Sequence, residues 1–96
     1  MKLGILVHPH DNVVTVVEEL DAGDEVRYAT PQGFRSVEAL QEVPSGHKVA
    51  VQEIEPQQEI VKYDQPIGLA STAIRAGEHV HVHNVRSAVQ GADDAD

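Results

Sequence analysis

Ninety-six residues with seven Lys and Arg against sixteen Asp and Glu, a formal charge of −9, make one small acidic domain. The acidity argues against a nucleic-acid surface, which needs basic patches to release counterions, and against binding to anionic membranes. No apolar run reaches the ~18 residues of a membrane span, and without Cys there is no disulfide, thiolate catalysis or zinc–thiolate site. The opening apolar stretch is too short for a signal peptide, so a soluble, cytoplasmic protein is expected.

The apolar 41% is mostly aliphatic, and Tyr28, Phe34 and Tyr63 are its only aromatic side chains. A core built this way is thin, and a partner subunit would help to cover it. Taken in order, Leu3–His8 reads as a strand on its β-branched run. His8–Asn12 (HPHDN) then gathers two imidazoles, a carboxylate and an amide in a strand-end loop. Val13–Leu20 is ambiguous. Val13, Val14, Val17 and Leu20 fit a helical face with Asp11 as N-cap, whereas the Val content favours a strand. Glu25–Thr30 is a strand before a turn at Pro31–Gly33, and Val37–Val43 carries no clear period. Lys48–Ile54, Glu59–Tyr63, Leu69–Ile74 and Glu78–Val85 complete a run of short strands. The expected class is therefore all-β, with one short helix at most. The acidic end, residues 87–96, reads as a flexible tail.

An internal repeat supports that class. Leu20 and Val26, Ile54 and Ile60, and Ile74 and Val80 each flank a turn tetrad, DAGD, EPQQ or RAGE. Segments beginning at Asp11, Gly46 and Pro66 are read as three copies of one unit, with Asn12 and Gly46 at equivalent points. Such corners could bring His8 and His47 to one side of a small fold.

The histidines cluster. His79, His81 and His83 alternate with Val80 and Val82, so a continuous strand would set three imidazoles on one face and the valines on the other. H-x-H in a strand is a feasible metal half-site, and it equally fits an amphipathic strand with a polar outer face. His47-Lys48 follows Gly46 and sets two proton-transfer groups side by side, with a solvated turn as the plainer reading. Lys62-Tyr63 places a cation beside a phenol, and the same plain reading applies. No P-loop, nucleophile elbow or dinucleotide fingerprint is present.

VHPHDNV, GHKVAVQEI and EIVKYDQPIGLAST followed by AGEHVHVHNV form an ordered set from Leu6 to Val85. The set resembles the SAF domain of the altronate dehydratase family, which includes galactarate dehydratases and two-subunit (2R)-sulfolactate sulfo-lyases. The resemblance implies a β-clip SAF domain over residues 1–86 and lyase chemistry, with loss of water from a sugar acid or of sulfite from sulfolactate. It also implies a divalent metal, commonly iron, and a separate large dehydratase subunit as partner; homo-oligomerisation is a further expectation. Residue by residue, His8, Asp11 and Asn12 match H-P-x-D-N-V, while His10 falls at its variable position. His47 and Lys48 match G-H-K-V-A. Lys62 and Tyr63 match the K-Y pair, although Asp64-Gln65 replaces the usual Gly-Glu. His79, His81, His83 and Asn84 match the G-E-H-V-H-V-H-N ending. The expected roles are His8 or His47 as base or acid, Lys48 as carboxylate anchor, Asp11, Asn12, Lys62 and Tyr63 at the substrate, and His79, His81 and His83 at the metal.

Overall fold

The computed structural model describes residues 1–87, so all of the expected acidic tail except Ser87 lies outside the described residues. Among the described residues nine short strands follow one another: β1 Lys2–Ile5, β2 Val13–Val16, β3 Glu25–Thr30, β4 Gly33–Glu38, β5 Lys48–Ala50, β6 Glu59–Lys62, β7 Gln65–Ala70, β8 His79–Val80 and β9 Val85–Arg86. They form a six-stranded sheet, β4-β3-β1-β2-β5-β8, and a three-stranded sheet, β6-β7-β9. Among the described strands only the β1–β3 pair is parallel. There is no helix among the described residues, and none long and apolar enough to cross a membrane.

Val13–Leu20 resolves as strand and loop rather than helix. Val13, Val14 and Val16 are buried in β2, and Asp11 does not cap a helix, because its carboxylate is taken by distant backbone. The segment without a clear period contains the end of β4, whose residues are exposed except for half-buried Val37. With neither face buried, the strand leaves no apolar alternation to read. β1 also inverts the usual pattern: Leu3 and Ile5 face outward and Gly4 inward. A Cβ on Gly4 would stand 2.9 Å from Val26 Cγ1 and 3.0 Å from Val14 Cγ2, so the core admits the strand only without a side chain there.

The repeat has four corners among the described residues, not three. Leu20, Val43, Ile54 and Ile74 are all fully buried, and each precedes a tetrad: DAGD, PSGH, EPQQ or RAGE. In each tetrad the fourth N–H donates to the first carbonyl at 3.0–3.1 Å. The third residue is left-handed, with φ of 95° at Gly23, 85° at Gly46, 73° at Gln57 and 96° at Gly77, as a type II turn requires. Leu20 and Val43 bridge one another, as do Ile54 and Ile74. The two bridges anchor two core clusters, one around Val14, Val16, Val26 and Val49, the other around Val13, Ile60, Ala70 and Val80. Gly46 thus corresponds to Gly23 within a corner of its own and is not the counterpart of Asn12.

The second corner differs in one respect. In the others, the first N–H donates at 2.8 Å to the side chain of the fourth residue: Asp24, Gln58 or Glu78. Pro44 has no N–H to satisfy, so the fourth position is released from that duty, and His47 occupies it.

Candidate functional site

His47 enters β5 from the Pro44 corner, and β5 pairs antiparallel with β8, which carries His79. His47 Nδ1 and His79 Nε2 lie 2.8 Å apart, a separation at which two imidazoles share one proton. The His81 ring stacks on His47 at 4.1 Å between centroids, and His83 stands 5.0 Å from His79. One ring nitrogen from each of His47, His79 and His81 falls within 4.8 Å of the others.

The three histidines of the HVHVH run do converge, but not by strand alternation. The strand ends at Val80, and His81–Asn84 is a turn. Asn84 causes it. This buried side chain accepts the His81 N–H at 3.0 Å and donates to the His79 carbonyl at 2.9 Å, while its own N–H donates to the His81 carbonyl. Val82, expected on the opposite face of a strand, lies at the turn tip, 81% exposed. His47, rather than His83, completes the closest set.

Partial burial, then the positive fields of His83, His47, His81 and Lys48, push His79 down to about 4. His81 is lowered by desolvation first and then by His47, Lys48 and His83. Imidazoles held neutral are what a divalent metal needs, since a protonated ring has no free lone pair on either nitrogen. The donor set fits a borderline metal such as iron, zinc or nickel. Beside the imidazoles a cavity of about 290 Å³ is lined by Lys48, His81 and Arg86, with Ile67, Val82 and Val85 as apolar walls. Arg86 follows the last motif and had no signal of its own in the sequence; its guanidinium donates to Gln57 Oε1.

The remaining expected site residues assemble elsewhere. His8, His10 and Asp64 form a second group, with His8 Nδ1 3.6 Å and His10 Nδ1 3.4 Å from Asp64 Oδ1. Asp11 ties this locus together. Its carboxylate accepts the N–H of His8 at 3.1 Å, of Tyr63 at 3.0 Å and of Asp64 at 2.8 Å. Asn12 does the same for β6, donating to the Glu59 carbonyl and accepting the Val61 N–H. Both side chains are buried, so they orient the locus through the backbone. Tyr63 and Asp64 both take positive φ, 57° and 59°, at the β6–β7 hairpin tip, and Lys62 Nζ lies 3.6 Å from the Tyr63 ring centroid. His8 and His47 therefore belong to two separate groups and not to one.

Short strands, paired tight corners and clustered imidazoles beside a cationic cavity define a small all-β domain with a polar site at its sheet edge. Residues 2–88 match the family model described as altronate/galactarate dehydratase SAF domain, and the chain belongs to that family. It is 39% identical over 88 residues to an altronate dehydratase of Bacillus subtilis (strain 168), covering 91% of this chain but 17% of that protein. It is 35% identical over 91 residues to the (2R)-sulfolactate sulfo-lyase subunit alpha of Chromohalobacter salexigens, covering 91% of this chain and 97% of that subunit. A galactarate dehydratase (L-threo-forming) of Escherichia coli (strain K12) is 37% identical over 76 residues, 14% of its length.

Proposed function

We propose that this chain is the SAF component of a lyase that eliminates water from a sugar acid, acting with a separate, larger catalytic subunit. The observation that carries the reading is the convergence of His47, His79 and His81 beside Lys48 and Arg86, in a domain that its relatives carry within altronate and galactarate dehydratases. Elimination next to a carboxylate needs a cation at the carboxylate, a base for the adjacent proton and an acid for the departing hydroxyl. Lys48 and Arg86 supply positive charge at one cavity, where an anion enters despite the net charge of −9. His47, in proton-sharing contact with His79, is the base or acid, and the depressed His79 keeps the pair from holding two protons. A divalent metal held by His79 and His81, its other ligands supplied by the substrate or the large subunit, would polarise the substrate oxygens and leave His47 for proton transfer. His8, backed by Asp11, is the alternative proton-transfer group at the other locus.

A second reading, the alpha subunit of a (2R)-sulfolactate sulfo-lyase, is favoured by the alignment over nearly the whole of that relative. Either reading needs a partner. Leu3, Ile5, Val17 and Phe34, each 45% exposed or more, leave the strands β1 and β4 and the end of β2 with apolar surface that a catalytic subunit would cover.

The test is reconstitution with the large subunit, following the keto-deoxy acid from altronate and sulfite from sulfolactate. His47→Ala is expected to lower kcat by at least ~100-fold, and Lys48→Ala to raise KM. Ferrous ion should raise the melting temperature of the chain alone, and His79→Ala with His81→Ala should abolish that shift. If neither His47→Ala nor His8→Ala changes kcat by more than a few-fold, the chemistry belongs to the partner and this chain is a binding module.

A further inference from the structure

Away from the imidazole–Lys48 site, His8, His10 and Asp64 bring metal-binding side chains together a second time. A ring nitrogen of each histidine and a carboxylate oxygen of Asp64 all lie within 4.8 Å of one another. His8 Nδ1 stands 3.6 Å, and His10 Nδ1 3.4 Å, from the same atom, Asp64 Oδ1. Ligands ~2.0–2.2 Å from a tetrahedral zinc ion are ~3.3–3.6 Å from one another. Two edges of the triangle therefore already have the span of a zinc site, and both are long for a direct hydrogen bond. The His10 side chain is 77% exposed and can rotate to close the third.

The tautomer suits a metal as well. His8 Nδ1 accepts the His10 N–H at 3.2 Å, so this nitrogen presents a lone pair, as Asp64 Oδ1 does. Two acceptors this close repel, and a cation between them turns the repulsion into attraction. The bond given up is long and exposed, and water can take over the His10 N–H. The backbone beneath the ligands is fixed beforehand. The buried Asp11 carboxylate accepts the N–H groups of His8, Tyr63 and Asp64, and a 2.9 Å bond from the Asp11 N–H to the His8 carbonyl closes the loop. Little ordering is left for an ion to impose. Asp64 holds the second left-handed position of the β6–β7 tip, φ 59°, where a two-residue hairpin favours glycine. Glycine would serve the turn better and would leave the two rings without a carboxylate. The family pattern has a variable residue at His10 and glycine at Asp64, so the group is particular to this chain.

We propose that His8, His10 and Asp64 form a zinc site that clamps the HPHDN loop to the β6–β7 tip. Two imidazoles and a carboxylate are a borderline donor set, which binds zinc more tightly than ferrous ion. Three protein ligands leave zinc a fourth position, open to water or an anion. Zinc on His8 takes that ring out of proton transfer and leaves His47 for the role. The inference is independent of the imidazole–Lys48 site, and its failure leaves that reading untouched.

The experiment is a zinc chloride titration of the full ¹⁵N-labelled chain at pH 7, with imidazole nitrogens and backbone amides followed by NMR. Saturable shifts are expected at the His8 and His10 rings and at the Tyr63 and Asp64 amides, read separately from His47, His79 and His81. Asp64→Asn removes the charge and keeps a residue that tolerates the left-handed tip, so zinc binding at His8 should weaken at least ~10-fold. His10→Gln, at an exposed side chain, should weaken it as much. Zinc shifts confined to His47, His79 and His81, wild-type affinity at His8 in either variant, or no saturable shift at His8 up to ~1 mM zinc would each overturn the proposal. The group would then be a plain imidazole–carboxylate contact.

Discussion

His79 already faces three imidazoles and Lys48, so a proton added there meets positive charge on several sides. The folded chain holds this ring neutral down to about 4, whereas the unfolded chain protonates it near 6.5. Between those values the unfolded state carries the extra proton, so stability falls as pH drops through the window and this contribution levels off below it. Asp24 acts lower on the scale. Its carboxylate accepts the Asp21 N–H and pairs with Lys2 at 3.4 Å, which holds it below its ordinary 3.8, so its contribution is lost only in stronger acid. Urea midpoints measured from pH 7 to pH 4 should therefore decline, and His79→Gln should flatten that decline. A slope identical in the variant would mean that His79 is not the group responsible. The residue types of the site were legible because the histidines fall in groups, with one of the few lysines beside His47. Their partners were not legible: Asp11 reads as a cap or a substrate group, and only the fold brings it to Tyr63 and Asp64, 52 and 53 positions away.

The corner is the element that organises this fold, and its third position separates two kinds of residue. Gln57 takes a left-handed conformation that glycine adopts without penalty, and Gly23, Gly46 and Gly77 supply that glycine elsewhere. Gln57→Gly should thus be neutral or stabilising by up to ~1 kcal/mol. Gly77→Ala should do the opposite. Beyond the strained φ, its Cβ would fall on the Glu38 carbonyl oxygen, where β4 runs out beneath the corner, and a loss of at least ~2 kcal/mol is expected. Denaturant melts of the two variants decide it, and a Gly77→Ala protein as stable as the parent would mean the corners are not rigid. Strand content was readable from aliphatic alternation, and three corners from their Ala-Gly or Pro-Gln centres. The fourth hid because Pro44 and His47 replace the side-chain clamp, and that substitution is what frees an imidazole for the site. The HVHVH run misled in the opposite direction. Its period of two is that of a strand, and the turn-forming Asn84 outweighs it by bonding both sides of the turn.

At the scale of the molecule, charge is distributed against stability. Sixteen carboxylates face seven Lys and Arg, and two of those cations, Lys48 and Arg86, line the cavity beside the imidazoles. The described residues hold one Lys–carboxylate pair, Lys2 with Asp24, and the other two ion contacts rely on imidazoles. The remaining carboxylates repel one another across the surface of a domain only 41 × 27 × 20 Å in extent. Ionic strength screens such repulsion over a Debye length of ~10 Å at 0.1 M and ~3 Å at 1 M. Adding KCl over that range should raise the melting temperature, while the same salt weakens any anion bound at Lys48. KCl is the proper titrant, because sulfate would strengthen apolar burial as well and blur the cause. Replacing Glu18 and Glu19, neighbouring acids on the loop after β2, by Gln should shrink the salt-dependent gain. A melting temperature that stays level or falls across the titration would show that repulsion does not limit this fold. The apolar surface at Leu3, Ile5 and Phe34 would then be left as the main feature that limits it.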